Sequence, residues 1–299
     1  MKRVIASLVL AAAGLWALPA SARVHVVTTI QTFRVLTEEI GGDHVQVEAL
    51  VGEAVDPHFV DARPSYAVTL NRADLLIYVG LDLERGWLPP LLEQARNPKI
   101  QAGQAGNLDA SQAVAALDVG VGTRAEGDIH PLGNPHYWLP PNNALRVARE
   151  IADRLKLIDA SNAAAYEQGY AAFAAKVTKR MADWTKAAAP LAGVKVVTYH
   201  KSWSYLTQWL GMVEIGYIEP KPGVPPAPQH LAELTRNAKA QGARFVIVES
   251  FYPQNTAQRV ADLGGMKLAS LPSDAGGSIH SYCDLIDFIL AQLDADVGR

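Results

Sequence analysis

Three histidines and an aspartate stand out for the chemistry they could do together: His58, His136, His200 and Asp274. Each lies in a turn-rich loop just after a strand-like apolar run. They are separated by 78, 64 and 74 residues, so no single helix or hairpin can join them. Only a fold that aims several strand ends at one place could. Three imidazoles and a carboxylate suit a divalent transition metal, zinc above all.

Each residue also has a plainer reading. His58, in Asp56-Pro57-His58, could be a surface loop residue. His136 follows Gly133-Asn134-Pro135, which fixes a turn, and precedes Tyr137 and Trp138, which either shield the ring or are ordinary core. His200 follows the apolar run 194–198, with Ser202 placed to cap a helix behind it. Asp274 sits before Ala275-Gly276-Gly277, where aspartate also serves turn chemistry. Glu249, closing the run 245–248, competes as a fourth ligand or as a partner of one. His130 is an outer metal-capturing residue or, more simply, an exposed loop residue. His280 is a weak alternate ligand. His25 and His44 read as structural or exposed, and His230 as surface.

The elements that must position these residues read as alternating strands and helices. Strands are expected over 24–29, 45–51 and 74–79, with helices over 33–40, 64–73 and 91–96. This grammar indicates βα units and a mostly parallel sheet, in which ligands bind beyond the carboxyl ends of the strands. The second half repeats it. At an offset of 170 residues, Val26-Val27-Thr28 matches Val196-Val197-Thr198, Leu36 matches Leu206, Ala73 matches Ala243 and Ile77 matches Ile247. A duplicated α/β domain follows. Ile30 stands where the second half has His200, which favours one site built once, between two lobes. A break at 159–162 opens a Pro-free stretch, 163–188, that predicts a helix roughly 40 Å long at about 1.5 Å per residue. The expected organisation is a leader over 1–22, a first α/β lobe over 23–158, a linker helix over 159–189 and a second α/β lobe over 190–299.

Lys2 and Arg3, the apolar run 4–18 and Ala20-Ser21-Ala22 read as a secretory signal peptide. The expected destination is the periplasm. The formal charge of −3 argues against a nucleic-acid partner. With one cysteine, Cys283, no internal disulfide is possible. No P-loop, G-x-S-x-G, H-E-x-x-H or C-x-x-C pattern is present. A zinc hydrolase would need an open coordination position beside a general base. Asp274 as a fourth ligand closes that position, so no enzyme activity is expected. The Pro-rich run 221–228 is long enough to close over a nearby site and gate it.

At these loops the sequence resembles the metal-binding solute receptors of bacterial ABC importers, the zinc- and manganese-binding group. The pieces that carry the resemblance are Asp56-Pro57-His58, Gly133-Asn134-Pro135-His136-Tyr137-Trp138-Leu139, His200-Lys201-Ser202-Trp203-Ser204-Tyr205-Leu206 and Ser273-Asp274. They span the whole chain after the leader, in order. The resemblance implies two α/β lobes joined by a long helix, one metal in the cleft held by His58, His136, His200 and Asp274, and delivery to a membrane permease by a monomer. Three departures sharpen it. Pro140 replaces the Asp common after Y-W-L. The stretch 120–135 holds only His130 where many zinc receptors carry a His-rich loop, so a periplasmic zinc chaperone could hand the ion over instead. The third ligand is His where manganese receptors usually have Glu. Zn²⁺ is therefore the expected cargo, with manganese or iron as the alternative.

Overall fold

The structure, a computed structural model, describes residues 23–120, 130–221 and 223–297. The expected signal peptide lies outside the described residues. In chain order the elements are β1 (Val24–Thr28), α1 (Gln31–Gly41), β2 (Val45–Ala49), α2 (Pro64–Arg72), β3 (Leu75–Tyr78), α3 (Leu88–Ala95), β4 (Asn107–Asp109), α4 (Pro141–Ile158) and α5 (Ala163–Ala188). They continue with β5 (Lys195–Thr198), α6 (Ser204–Leu210), β6 (Val213–Tyr217), α7 (Pro228–Gln241), β7 (Phe245–Glu249), α8 (Gln254–Gly264), β8 (Lys267–Leu271) and α9 (Tyr282–Val297).

These form two four-stranded parallel sheets, ordered β2-β1-β3-β4 and β6-β5-β7-β8. Strands covered on both faces are expected to be continuously apolar, and β7, Phe-Val-Ile-Val-Glu, is buried at every position. The 170-residue repeat is visible in the pairing itself. Val26, Val27 and Thr28 pair with Leu75, Leu76 and Ile77. Their counterparts Val196, Val197 and Thr198 pair with Phe245, Val246 and Ile247.

The expected helix at 91–96 begins earlier, at Leu88, because Pro89 and Pro90 fall in the first turn, where a missing N–H costs nothing. The strands β4 and β6 were not anticipated. The first is three residues long, and the second alternates poorly and pairs with β5 through a register shift at Val196/Val197.

The long helix α5 buries a narrow stripe, Tyr166, Phe173, Val177, Trp184 and Ala188, spaced seven and four residues in turn. That spacing is one face of a helix. The stripe joins residues of both sheets, α1, α4 and α9 into one continuous core, while α2 with α3, and α7 with α8, cover the outer faces. Gly169 is required in α5. A Cβ there would lie 2.1 Å from the carbonyl oxygen of Ile40, so the helix crosses the end of α1 at backbone contact. At its other end Trp184 Nε1 donates to Asp287 Oδ1 of α9 at 2.6 Å. Among the described residues no helix is long and apolar enough to cross a membrane.

Candidate metal centre

All strands of a sheet run the same way, so their carboxyl ends open on one side. His58 follows β2, His136 follows β4 and opens toward α4, and His200 follows β5. The structure brings these three together: one ring nitrogen of each lies within 4.8 Å of the others, and all three side chains are buried. Ring centroids are 5.0 Å apart for His58 and His136, 5.2 Å for His58 and His200, and 5.3 Å for His136 and His200. Tetrahedral zinc at about 2.0–2.1 Å from each nitrogen would separate the donors by roughly 3.3 Å. The loops need only a small inward movement to reach that.

The other nitrogen of each ring faces an oxygen. His58 Nδ1 lies 2.7 Å from Asp56 Oδ1. His136 Nδ1 lies 2.9 Å from Asn134 Oδ1, and His200 Nδ1 lies 2.8 Å from Glu219 Oε2. An oxygen acceptor there fixes a proton on Nδ1 and leaves Nε2 to the metal. Two of these partners are local. Asp56 and Asn134 each stand two residues before their histidine and also accept its backbone N–H, at 2.9 and 3.0 Å. The Asn134 amide is oriented by donating to the Lys201 carbonyl at 2.9 Å, a bond between the two halves. Glu219 is different. It follows β6 and reaches His200 only because β6 lies beside β5.

The electrostatics suit a neutral donor set. Burial, reinforced by the neighbouring His58, His200 and His130, holds the His136 pKa well below the ordinary imidazole value. For Asp56 burial works upward, but hydrogen bonds from the His58 ring and backbone and the nearby imidazoles outweigh it, and the carboxylate titrates below its usual range.

Aromatic side chains pin the loops. Trp87 Nε1 donates to the Pro57 carbonyl at 2.9 Å, and the Tyr137 hydroxyl to the Val79 carbonyl at 2.6 Å. The Tyr205 hydroxyl donates to the Asn134 carbonyl at 2.8 Å. Trp138 Nε1 donates to the Ser273 carbonyl at 2.7 Å, tying the His136 loop to the Asp274 loop. The proline that replaces the expected Asp, Pro140, is the residue from which α4 starts, with Pro141 in its first turn.

Asp274 is not brought into the histidine cluster in this conformation. It is buried after β8, with both oxygens at the start of α1. Oδ2 accepts from Gln31 N at 2.8 Å. Oδ1 accepts from Thr32 N at 2.6 Å, Thr32 Oγ1 at 2.5 Å and Ala275 N at 3.0 Å. The physical reason lies in Ile30. It occupies the position before α1 and has no side chain to cap the helix. The free N–H groups and the positive end of the helix dipole therefore draw a carboxylate from the other lobe. Burial raises Asp274 to about 6, with these bonds opposing the rise.

The remaining candidates are not part of this group of donors. Glu249 is fully buried at the end of β7, accepts a hydrogen bond from Ser202 Oγ, and is pushed by burial up to about 8. Ser202 is thus spent on Glu249 and does not cap α6, which starts from Trp203 without a side-chain cap. His130, expected to be exposed, is buried, with its ring centroid 5.2 Å from that of His58. His280 and His25 are exposed, and His44 packs edge-on against Tyr166. His230 is half-buried, with Nε2 2.9 Å from the Tyr217 carbonyl.

A family profile described as "Zinc-uptake complex component A periplasmic" matches residues 26–295. The chain belongs to this zinc-uptake family. Among its relatives, the zinc-binding lipoprotein AdcA of Streptococcus pneumoniae is 24% identical over 83% of this chain and 49% of its own length. The chain thus spans about half of that relative. The iron-binding protein YfeA of Yersinia pestis is 25% identical over 92% of this chain and 86% of its own. A solved structure of ZnuA superposes with a TM-score of 0.76 at 25% identity, covering 92% of this chain and 99% of that one. The two-lobed architecture and the long helix are those of the zinc-uptake family.

Reading the sequence alone missed Glu219 and the helix end that holds Asp274. The i, i+2 pairs Asp56/His58 and Asn134/His136 were open to view in the motifs. Only a strand read at 213–217 would have pointed to Glu219.

Proposed function

We propose that this chain is a periplasmic receptor that captures Zn²⁺ between its lobes and delivers it to an ABC-type membrane importer. The observation that carries this reading is the set of three buried imidazoles whose ring nitrogens converge within 4.8 Å, each with Nδ1 against an oxygen acceptor. A site of three neutral nitrogens favours zinc over manganese. His58, His136 and His200 are the permanent donors. Asp274 is the fourth, recruited when it leaves the start of α1, and it neutralises part of the ion's charge. Such a closed set of four protein ligands suits carriage, not hydrolysis, which needs an open position.

The Pro-rich run 221–228 gates the site. Gly223 N donates at 3.2 Å to the same Glu219 oxygen that faces His200 Nδ1, so movement of this run is felt at a ligand. The leader at 1–22 exports the chain, which works as a monomer. With no His-rich loop evident before His136, a periplasmic chaperone supplies the ion. Elemental analysis tests the reading. Chelator-stripped protein reloaded from an equimolar mixture of zinc, manganese and iron should retain one zinc per chain. Retention of manganese or iron instead would overturn the choice of cargo.

A further inference from the structure

We propose that Tyr252 is a positioning residue that couples the two halves of the metal cage, packing on His200 with its ring and holding His58 through Asp56 with its hydroxyl. Tyr252 lies in the turn between β7 and α8, in the second lobe. Its ring stacks on Tyr199 at 4.5 Å with an interplanar angle of 13°, and tilts over His200 at 5.9 Å and 30°. Its hydroxyl donates to Asp56 Oδ2 at 3.3 Å, across 196 residues of sequence and from one lobe to the other. The other oxygen of Asp56 faces His58 Nδ1 at 2.7 Å and accepts the His58 N–H at 2.9 Å. A continuous path therefore runs from His200 through Tyr252 and Asp56 to His58.

The ring is fixed in place from behind. Tyr252 N donates to the Glu249 carbonyl at 3.2 Å, and Gln254 Nε2 donates to the Tyr252 carbonyl at 2.9 Å. A phenylalanine would fill the stack equally well, so the hydroxyl is there for Asp56. At 3.3 Å that bond is long, since O–H···O bonds are ordinarily about 2.7–2.8 Å. An ion that draws His58 and His200 together shortens it. The bond is then strongest in the loaded state, and its contribution falls on the rate of release, where affinity differences between related complexes mostly lie.

This inference rests on the zinc reading, and the experiment separates the two. Zinc release into excess chelator is followed by stopped flow for wild type, Tyr252→Phe, Asp56→Asn and the double variant, alongside zinc association rates and melting of the metal-free proteins. Tyr252→Phe should release zinc about 3–10-fold faster, the scale of one hydrogen bond, with association within twofold of wild type and unchanged melting. In the Asp56→Asn background the same substitution should add little, because the two groups act through one bond. An unchanged release rate in Tyr252→Phe, or effects that simply multiply, would overturn the role of Tyr252 alone. A wild-type protein that retains no zinc would overturn the zinc reading and this proposal with it.

Discussion

The two lobes use one backbone plan up to a single residue and then diverge. In both, the first strand pairs with the third in the same register at an offset of 170. In both, the last threonine of that strand turns its hydroxyl onto the carbonyl two residues on, Thr28 to Ile30 at 2.9 Å and Thr198 to His200 at 2.8 Å. The first lobe then runs straight into α1 at Gln31, whereas the second spends residues 200–203 in a turn before α6 begins. Ile30 is buried core, and His200 at the matching place is a candidate metal donor. α1 begins after Ile30 with no side-chain cap of its own, and the opposite lobe supplies one in Asp274. The duplicated fold differs at this position: the first lobe has a buried aliphatic residue where the second has His200, and Asp274, also from the second lobe, reaches across to the start of α1.

The matched pair gives the sharpest test. His200→Ala should lower zinc affinity by more than the roughly 10–100-fold typical of losing a ligand's outer partner, with the fold retained. Ile30→Ala should leave zinc affinity nearly unchanged and cost about 2–5 kcal/mol of stability as a core cavity. Calorimetric zinc titration and chemical denaturation read the two, and equal effects at both positions would break the comparison. Next, Glu219→Gln should weaken zinc binding about 10–100-fold through His200, as competition with a chromophoric chelator would show.

A third test uses two buried glutamates, Glu84 of the first lobe and Glu249 of the second. Glu84 accepts from Thr29 Oγ1, Val79 N and Gly80 N at 2.6, 2.7 and 3.1 Å, and burial raises it to about 7. Glu249 is raised to about 8. A carboxyl raised in the folded state contributes stability that is full below its unfolded value and is lost as pH rises through its folded one. These two acids should therefore draw down the stability of the metal-free protein between pH about 4.5 and about 8, while His136, held neutral by burial, works the other way below about 6.5. Glu249→Gln should flatten that loss up to the top of the window, and Glu84→Gln only to about one unit below it, as urea midpoints across pH would show. The smallest effect is expected from Thr32→Val. It removes the hydroxyl on Asp274, should cost about 1 kcal/mol of metal-free stability, and should tighten zinc a few-fold as Asp274 comes free. Weaker zinc binding in this variant would count against Asp274 as the fourth ligand.

What could be read from the sequence follows from how local each signal is. The apolar runs of β1, β3, β5 and β7 are short and continuous, so the duplicated sheets were legible. The Asp-Pro-His and Asn-Pro-His motifs place Asp56 and Asn134 two residues before their histidines, a local signal visible in the motifs but not assigned to the rings from sequence. His200 has no such local signal. Its carboxylate arrives from a neighbouring strand, 19 residues on, whose Val-Glu-Ile-Gly-Tyr pattern is a weak strand signal. The place of Asp274 was not legible either, because it depends on an uncapped helix 243 residues away. The burial of His130 likewise depends on where its ring meets His58 in space.

The crossing of α5 over α1 at Gly169 has a mechanical consequence. With a backbone-to-backbone contact at one end and the Trp184–Asp287 bond at the other, α5 is a strut welded to both halves. The chain should melt as one cooperative unit, and loading an ion should register in scattering as almost no change in overall dimensions, the movement being left to the loops at the strand ends.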